Sequence, residues 1–141
     1  ESAEDDINYY QMLDKIMGIE KQDITSSIAY SVVDSSNRLK IKAIVTPTMS
    51  GYTAKKISKF RPNCPIIALS SDKTVVMELS MYYGIYAYLI DEIPSFDKMM
   101  EICKKIVIEK CDIYSSDKII ITGGYPFKKV NHTNFMKIEE L

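Results

Sequence analysis

Pro65-Ile66-Ile67-Ala68-Leu69 is apolar at every position, with Arg61-Pro62-Asn63 before it and Ser70-Ser71-Asp72 after it. A strand with one face in water alternates apolar and polar side chains, whereas an unbroken apolar run belongs to a strand covered on both faces. Related strand-like runs occur at residues 41–45, ending at Pro47, at 85–90 and at 117–122. Segments of helical period separate them. Residues 51–60 place Ala54, Ile57 and Phe60 inward. Residues 72–83 place Val75, Leu79 and Tyr82 or Tyr83 on one side, with Gly84 after them. Pro94-Ser95 opens a longer helix whose stripe is Met99, Ile102, Cys103, Ile106 and Val107.

Strands that alternate with helices give right-handed βαβ crossovers and a parallel sheet. The predicted fold class is therefore α/β: an open, mostly parallel five-stranded sheet with helices on both faces. The fifth strand, residues 134–138, follows the fourth with no helix between them, so it is predicted antiparallel and at an edge. Two helices precede the first strand. Residues 1–22 carry Ile7, Tyr10, Leu13 and Met17 at helical spacing after an acidic first turn, and Gly18 is a stop signal. The next helix follows Asp23, with Ile28, Val32 and Val33 on its apolar face and Ser26, Ser27, Ser31, Ser35 and Ser36 assigned to its polar side. At 141 residues, with no linker or repeat, the whole chain reads as one domain.

Charge excludes some functions. Lys and Arg total 18 against 19 Asp and Glu, which leaves no basic footprint for nucleic acid or an anionic membrane. No apolar run approaches the roughly 20 residues that cross a bilayer. The N-terminus has neither the basic nor the apolar region of a signal peptide. It also lacks an initiator Met and reads as cut from a longer chain. Cys64, Cys103 and Cys111 contain no CxxC pair, and His132 is the single histidine, so no zinc set is predicted. The cysteines read as free thiols in a reducing compartment, Cys103 as part of the core.

In open parallel sheets, ligands bind beyond the carboxyl ends of the strands. That rule selects residues 46–53, 70–74, 91–95 and 123–133. The first contains Thr46-Pro47-Thr48-Met49-Ser50-Gly51-Tyr52-Thr53, where hydroxyls and backbone N–H groups converge on the start of a helix. Phosphate is the ligand such an arrangement accepts. The competing reading is a plain helix cap, with Ser50 satisfying an orphan N–H. The GxxxxGK[ST] phosphate loop is absent, and Gly123-Gly124 is not a dinucleotide fingerprint. The last segment is a long loop in which Lys128 and Lys129 could meet an anion, or simply stay solvated. No nucleophile, acid–base pair or metal cluster is apparent, so no catalytic or metal residue is assigned.

Residues 42–54, KAIVTPTMSGYTA, and 57–68, ISKFRPNCPIIA, resemble the C-terminal domain of the pyruvate kinase family. Its pattern there is a strand, T-x-S-G-x-[ST]-A, a helix, then [KR]-[YF]-R-P-x-x-P-I-[IL]-A. Tyr83-Gly84-Ile85 resembles the approach to its third strand. Thr122-Gly123-Gly124-Tyr125-Pro126 and Thr133-Asn134-Phe135-Met136-Lys137-Ile138 resemble its closing T-x-G-x-P…T-N-x-M-[KR]-[VI] segment. The helices before Ile41 resemble the family's approach to this domain, which extends the likeness over essentially the whole chain, with residues 1–22 leading in from a barrel domain absent here. Two departures stand out: Lys128 and Asn131 occupy positions where the family's closing loop has glycines, and Tyr52 stands where many members have a polar residue.

The resemblance implies several expectations. The parent enzyme would transfer a phosphoryl group from phosphoenolpyruvate to ADP with magnesium and potassium, using a (β/α)₈ barrel outside this chain. This domain would contribute to a homotetramer. It would also bind a sugar-phosphate effector, often fructose bisphosphate, with Thr48, Ser50, Gly51 and Thr53 at a phosphate and Lys128 and Lys129 on the loop over the sugar. No cofactor, nucleic acid or membrane is expected for the domain itself. The parent would be cytoplasmic, and an organellar form is compatible with the same sequence. The alternative is a stand-alone phosphate- or nucleotide-binding α/β module without a barrel partner. A small free-standing enzyme is disfavoured by the missing catalytic constellation.

Overall fold

The computed structural model describes residues 11, 12, 15, 23–92, 95–124 and 133–141. Gln11, Met12 and Lys15 are helical; the rest of the predicted first helix, with Lys128 and Lys129, lies outside the described residues. The described elements are α1 (Ile24–Arg38), β1 (Ala43–Pro47), α2 (Tyr52–Lys59), β2 (Ile66–Ser70), α3 (Lys73–Leu79), β3 (Ile85–Leu89), α4 (Phe96–Lys110), β4 (Lys118–Gly123) and β5 (Phe135–Glu140).

The five strands form one sheet in the order β3-β2-β1-β4-β5. β1 pairs in parallel with β2 and β4, and β2 with β3. β5 is antiparallel to β4 and occupies an edge, as the sequence pattern predicts. All five residues of β1 and of β2 are buried, in keeping with the apolar run of β2.

The strand period of two separates the core into two layers. Ile44, Ile66, Ala68 and Ile120 meet Val32 and Val33 of α1, Ala54 and Ile57 of α2 and Leu79 of α3. Ala43, Val45, Ile67, Leu69, Ile119 and Ile121 meet Met99, Cys103 and Val107 of α4 on the opposite face. Each fully buried aliphatic side chain here contributes about 1.5–3 kcal/mol relative to exposure. Burial pushes the Cys103 thiol up to about 12 and, with smaller offsetting contacts, the Cys64 thiol up to about 11. Both are held as neutral thiols at physiological pH.

Two expectations change. α3 ends at Leu79 rather than at residue 83, because Met81 and Tyr82 N–H turn back to Glu78 and Leu79 carbonyls in a tightened last turn. Tyr82 and Tyr83 are consequently 40% and 58% exposed rather than inward. On α1, Ser26 and Ser36 are buried although the pattern assigned them to the polar side. Ser36 is accommodated by donating its hydroxyl to the Val33 carbonyl at 2.7 Å.

Candidate phosphate site at the carboxyl end of the sheet

Ladder pairing between β1 and β4 stops short of their carboxyl ends, where the topology makes a crevice outside the strand ends. Ile44 and Thr48 N–H groups point at β2, bonding the Pro65 and Leu69 carbonyls at 3.0 and 2.8 Å. Strand alternation therefore aims position 47 at β4, where proline has no N–H to donate. The paired residues of β1 and β4 stop at Val45 and Ile121 accordingly. The chain leaves β1 for α2 on one side of this crevice, while β3 returns through α4 to β4 on the other. The crevice is the topological switch point of the sheet.

The β1–α2 loop is shaped by its own polar groups. Gly51 N–H donates to Thr48 Oγ1 at 2.8 Å, and Tyr52 N–H to Ser50 Oγ at 3.3 Å. The cap position of α2 is Gly51, not Ser50, and no side chain caps the helix there. Gly51 has φ +83°, and a Cβ on it would lie 2.9 Å from Leu79 Cδ2. Glycine satisfies both demands, for left-handed backbone and for space. Thr48 and Ser50 accept from backbone N–H groups, so each keeps its own hydroxyl hydrogen to donate elsewhere. The N–H groups of Thr53 and Ala54 lie in the first turn, where no intrahelical carbonyl is available.

Thr53 is 7% exposed, and its Oγ1 meets Thr133 Oγ1. Thr133 N–H in turn donates to Thr25 Oγ1 in the first turn of α1 at 3.1 Å. These three hydroxyls join α2, the approach to β5 and α1 under the loop. Thr46 Oγ1, on the α1–α2 face of β1, is buried with no hydrogen-bond partner among the described residues. At the other side of the crevice a Cβ on Gly123 would stand 3.2 Å from the Pro47 carbonyl oxygen, so β4 ends hard against the start of the loop. The two flanks of the segment between β4 and β5 thus sit at the two ends of the β1–α2 loop, Gly123 beside Pro47 and Thr133 on Thr53.

The structure therefore brings Thr48, Ser50, Gly51 and Thr53 into one turn. Thr25, Thr46 and Thr133 belong to the same region; Thr46 and Thr133 lie in the segments selected from the sequence without an assigned role, and Thr25 lies outside them. Thr133 carries a signal, as the Thr of the closing Thr-Asn motif; Thr25 carries none beyond following Asp23. The neighbouring cation, Lys55, is bound to Glu78, whose hydrogen bond raises the lysine pKa despite some desolvation.

The other selected segments differ. At 70–74, Asp72 Oδ1 accepts from Thr74 and Val75 N–H at 2.9 and 3.4 Å, so a carboxylate already occupies the start of α3. Ser95 caps α4 through Lys98 N–H at 3.2 Å. Asp91 and Glu92 are exposed loop residues. Among the described residues, no group of three or more His, Cys, Asp or Glu is placed to hold a metal ion.

The family model for the pyruvate kinase alpha/beta domain matches residues 26–139. The pyruvate kinase of Geobacillus stearothermophilus is 33% identical over 115 residues, which are 82% of this chain and 20% of that protein. That of Clostridium acetobutylicum is 28% identical over 139 residues, 99% of this chain and 29% of that protein. The structure of Cryptosporidium parvum pyruvate kinase in complex with ADP superposes with a TM-score of 0.81 at 27% identity, covering 94% of this chain and 27% of that one. The chain thus spans between a fifth and a third of the length of these relatives. With the family model matched across 26–139, the chain belongs to the pyruvate kinase alpha/beta domain family.

Proposed function

We propose that this chain is the regulatory and assembly domain of a pyruvate kinase and that its β1–α2 loop holds one phosphate of a phosphorylated sugar effector. Thr48 and Ser50 have hydroxyl hydrogens to give, α2 presents its positive end, and Gly51 lets the ligand approach the backbone. Each charge-assisted hydrogen bond contributes about 1.5–3 kcal/mol. The observation that carries the reading is that both flanks of the β4–β5 connection sit at the ends of this loop, Gly123 beside Pro47 and Thr133 on Thr53. Lys128 and Lys129 lie within that connection and are proposed as second contacts to the ligand.

Phosphoryl transfer from phosphoenolpyruvate to ADP, with magnesium and potassium, is assigned to a barrel domain of the parent chain. The domain alone is expected to be inactive; sustained turnover by the purified chain would contradict this. Subunit contact is assigned to β5, an edge strand that among the described residues pairs only with β4 and carries a half-exposed Ile138. Concentration-dependent association in the ultracentrifuge is expected, and a strict monomer would count against it. The parent is placed in the cytoplasm as a glycolytic enzyme; among the described residues no helix is long and apolar enough to cross a membrane. Calorimetric titration with fructose 1,6-bisphosphate and with unphosphorylated fructose tests the effector site. Heat with the bisphosphate alone supports it, and no binding, or equal binding of both, overturns it.

A further inference from the structure

We infer that Thr133, tied to α1 through Thr25, is the positioning residue that makes the Thr53 hydroxyl a donor to the bound anion. The inference rests on the phosphate reading above. Thr53 Oγ1 and Thr133 Oγ1 face each other, and either can donate to the other. Each hydroxyl has one hydrogen. If Thr53 gave its hydrogen to Thr133, only oxygen lone pairs would face an anion. The opposite direction, Thr133 to Thr53, leaves the Thr53 hydrogen for the ligand.

Burial favours that direction for a ligand arriving from solvent. Thr133 is 1% exposed and Thr25 2%, whereas Thr53 retains 7%. Thr133 is itself fixed: its backbone N–H bonds Thr25 Oγ1 at 3.1 Å, linking position 133 to the first turn of α1. A hydroxyl that already accepts a hydrogen bond is polarised into a better donor, so the two bonds strengthen each other. Thr53 is β-branched, and its partner on Thr133 selects one χ1 rotamer before the ligand arrives.

The test compares the wild type, Thr133→Val and Thr133→Ser in titrations with inorganic phosphate, with melting curves recorded alongside. Thr133→Val is expected to weaken phosphate by roughly three- to tenfold, the loss of a cooperative hydrogen bond, and Thr133→Ser to stay within about twofold of wild type. Wild-type affinity in Thr133→Val, or no recovery in a folded Thr133→Ser, overturns the positioning role and leaves the phosphate site standing. A wild type that binds neither phosphate nor a sugar bisphosphate overturns the site itself and the inference with it. If Thr133→Val does not fold, three-bond couplings of Thr53 in the wild type decide the question. One χ1 rotamer, unchanged by phosphate, supports the role; averaging that settles only on binding overturns it.

Discussion

At the carboxyl ends of β1 and β2 the chain makes the same move twice, from a buried strand through a short hydroxyl-bearing turn into a helix on the same face of the sheet. At β2 the turn contains Asp72, and its carboxylate accepts from the first N–H groups of α3. At β1 the corresponding place is Gly51, whose left-handed backbone puts no side chain at the cap. Thr48 and Ser50 accept from the loop's own amides and keep their hydrogens. The helix start after β2 carries its own anion; the one after β1 carries none from its cap residue, which is why an external anion is proposed there. Position in the sheet reinforces the contrast. The β1 turn borders the switch point between β1 and β4, where pairing stops at Val45 and Ile121, whereas β2 is flanked by paired strands on both sides.

The most damaging way to break this contrast is Gly51→Val. A β-branched side chain would have to adopt positive φ and enter the space of Leu79. We expect a loss of about 3 kcal/mol or more in denaturant titration, from backbone strain and overpacking together. A change within about 0.5 kcal/mol of wild type, the size of an ordinary surface substitution, would show that the turn rearranges freely.

Ser50→Ala/Thr53→Ala removes two hydroxyls and leaves the amides. Fructose 1,6-bisphosphate should bind at least about tenfold more weakly, equivalent to about 1.4 kcal/mol. Unchanged calorimetric affinity would reduce Ser50 to a local turn residue. Asp72→Ala probes the other turn: loss of its cap should cost about 1 kcal/mol of stability in thermal melts. Phosphate affinity at the β1 turn should remain as in wild type, and a parallel loss would mean that the two turns act as one. The smallest effect expected is salt. Raising ionic strength from about 0.01 to 0.15 M shortens the screening length from about 30 to 8 Å, so affinity for the anion should fall modestly. An affinity that rises with salt would argue against a phosphate contact.

Much of this architecture is legible in the sequence because burial writes itself into composition. Residues 66–69 read as a strand covered on both faces, and the lack of a helical pattern before β5 implies its direction. The length of α3 is hidden because Tyr82 and Tyr83 continue a helical period that the tightened turn after Leu79 interrupts. Ser26 and Ser36 mislead because small hydroxyls enter a core wherever backbone carbonyls or cramped space suit them.

The site is half legible. Thr48, Ser50, Gly51 and Thr53 are consecutive enough to show a helix start with hydroxyls. The partners of Thr53 are not local: Thr133 lies 80 residues away, and Thr25 a further step, 108 residues from Thr133. Their meeting depends on where β5 and α1 dock, which no local pattern encodes. Gly51 as the cap, in place of Ser50, depends on a left-handed backbone angle, and the space beside it is taken by Leu79, 28 residues on.

The contrast between the two helix starts is tested most directly by following backbone amide shifts by NMR while fructose 1,6-bisphosphate is titrated into the chain. The account predicts saturable shifts at Gly51, Tyr52, Thr53 and Ala54, with Thr74 and Val75 unmoved because Asp72 already holds their N–H groups. Shifts of equal size at both helix starts, or shifts at Thr74 and Val75 alone, would contradict it.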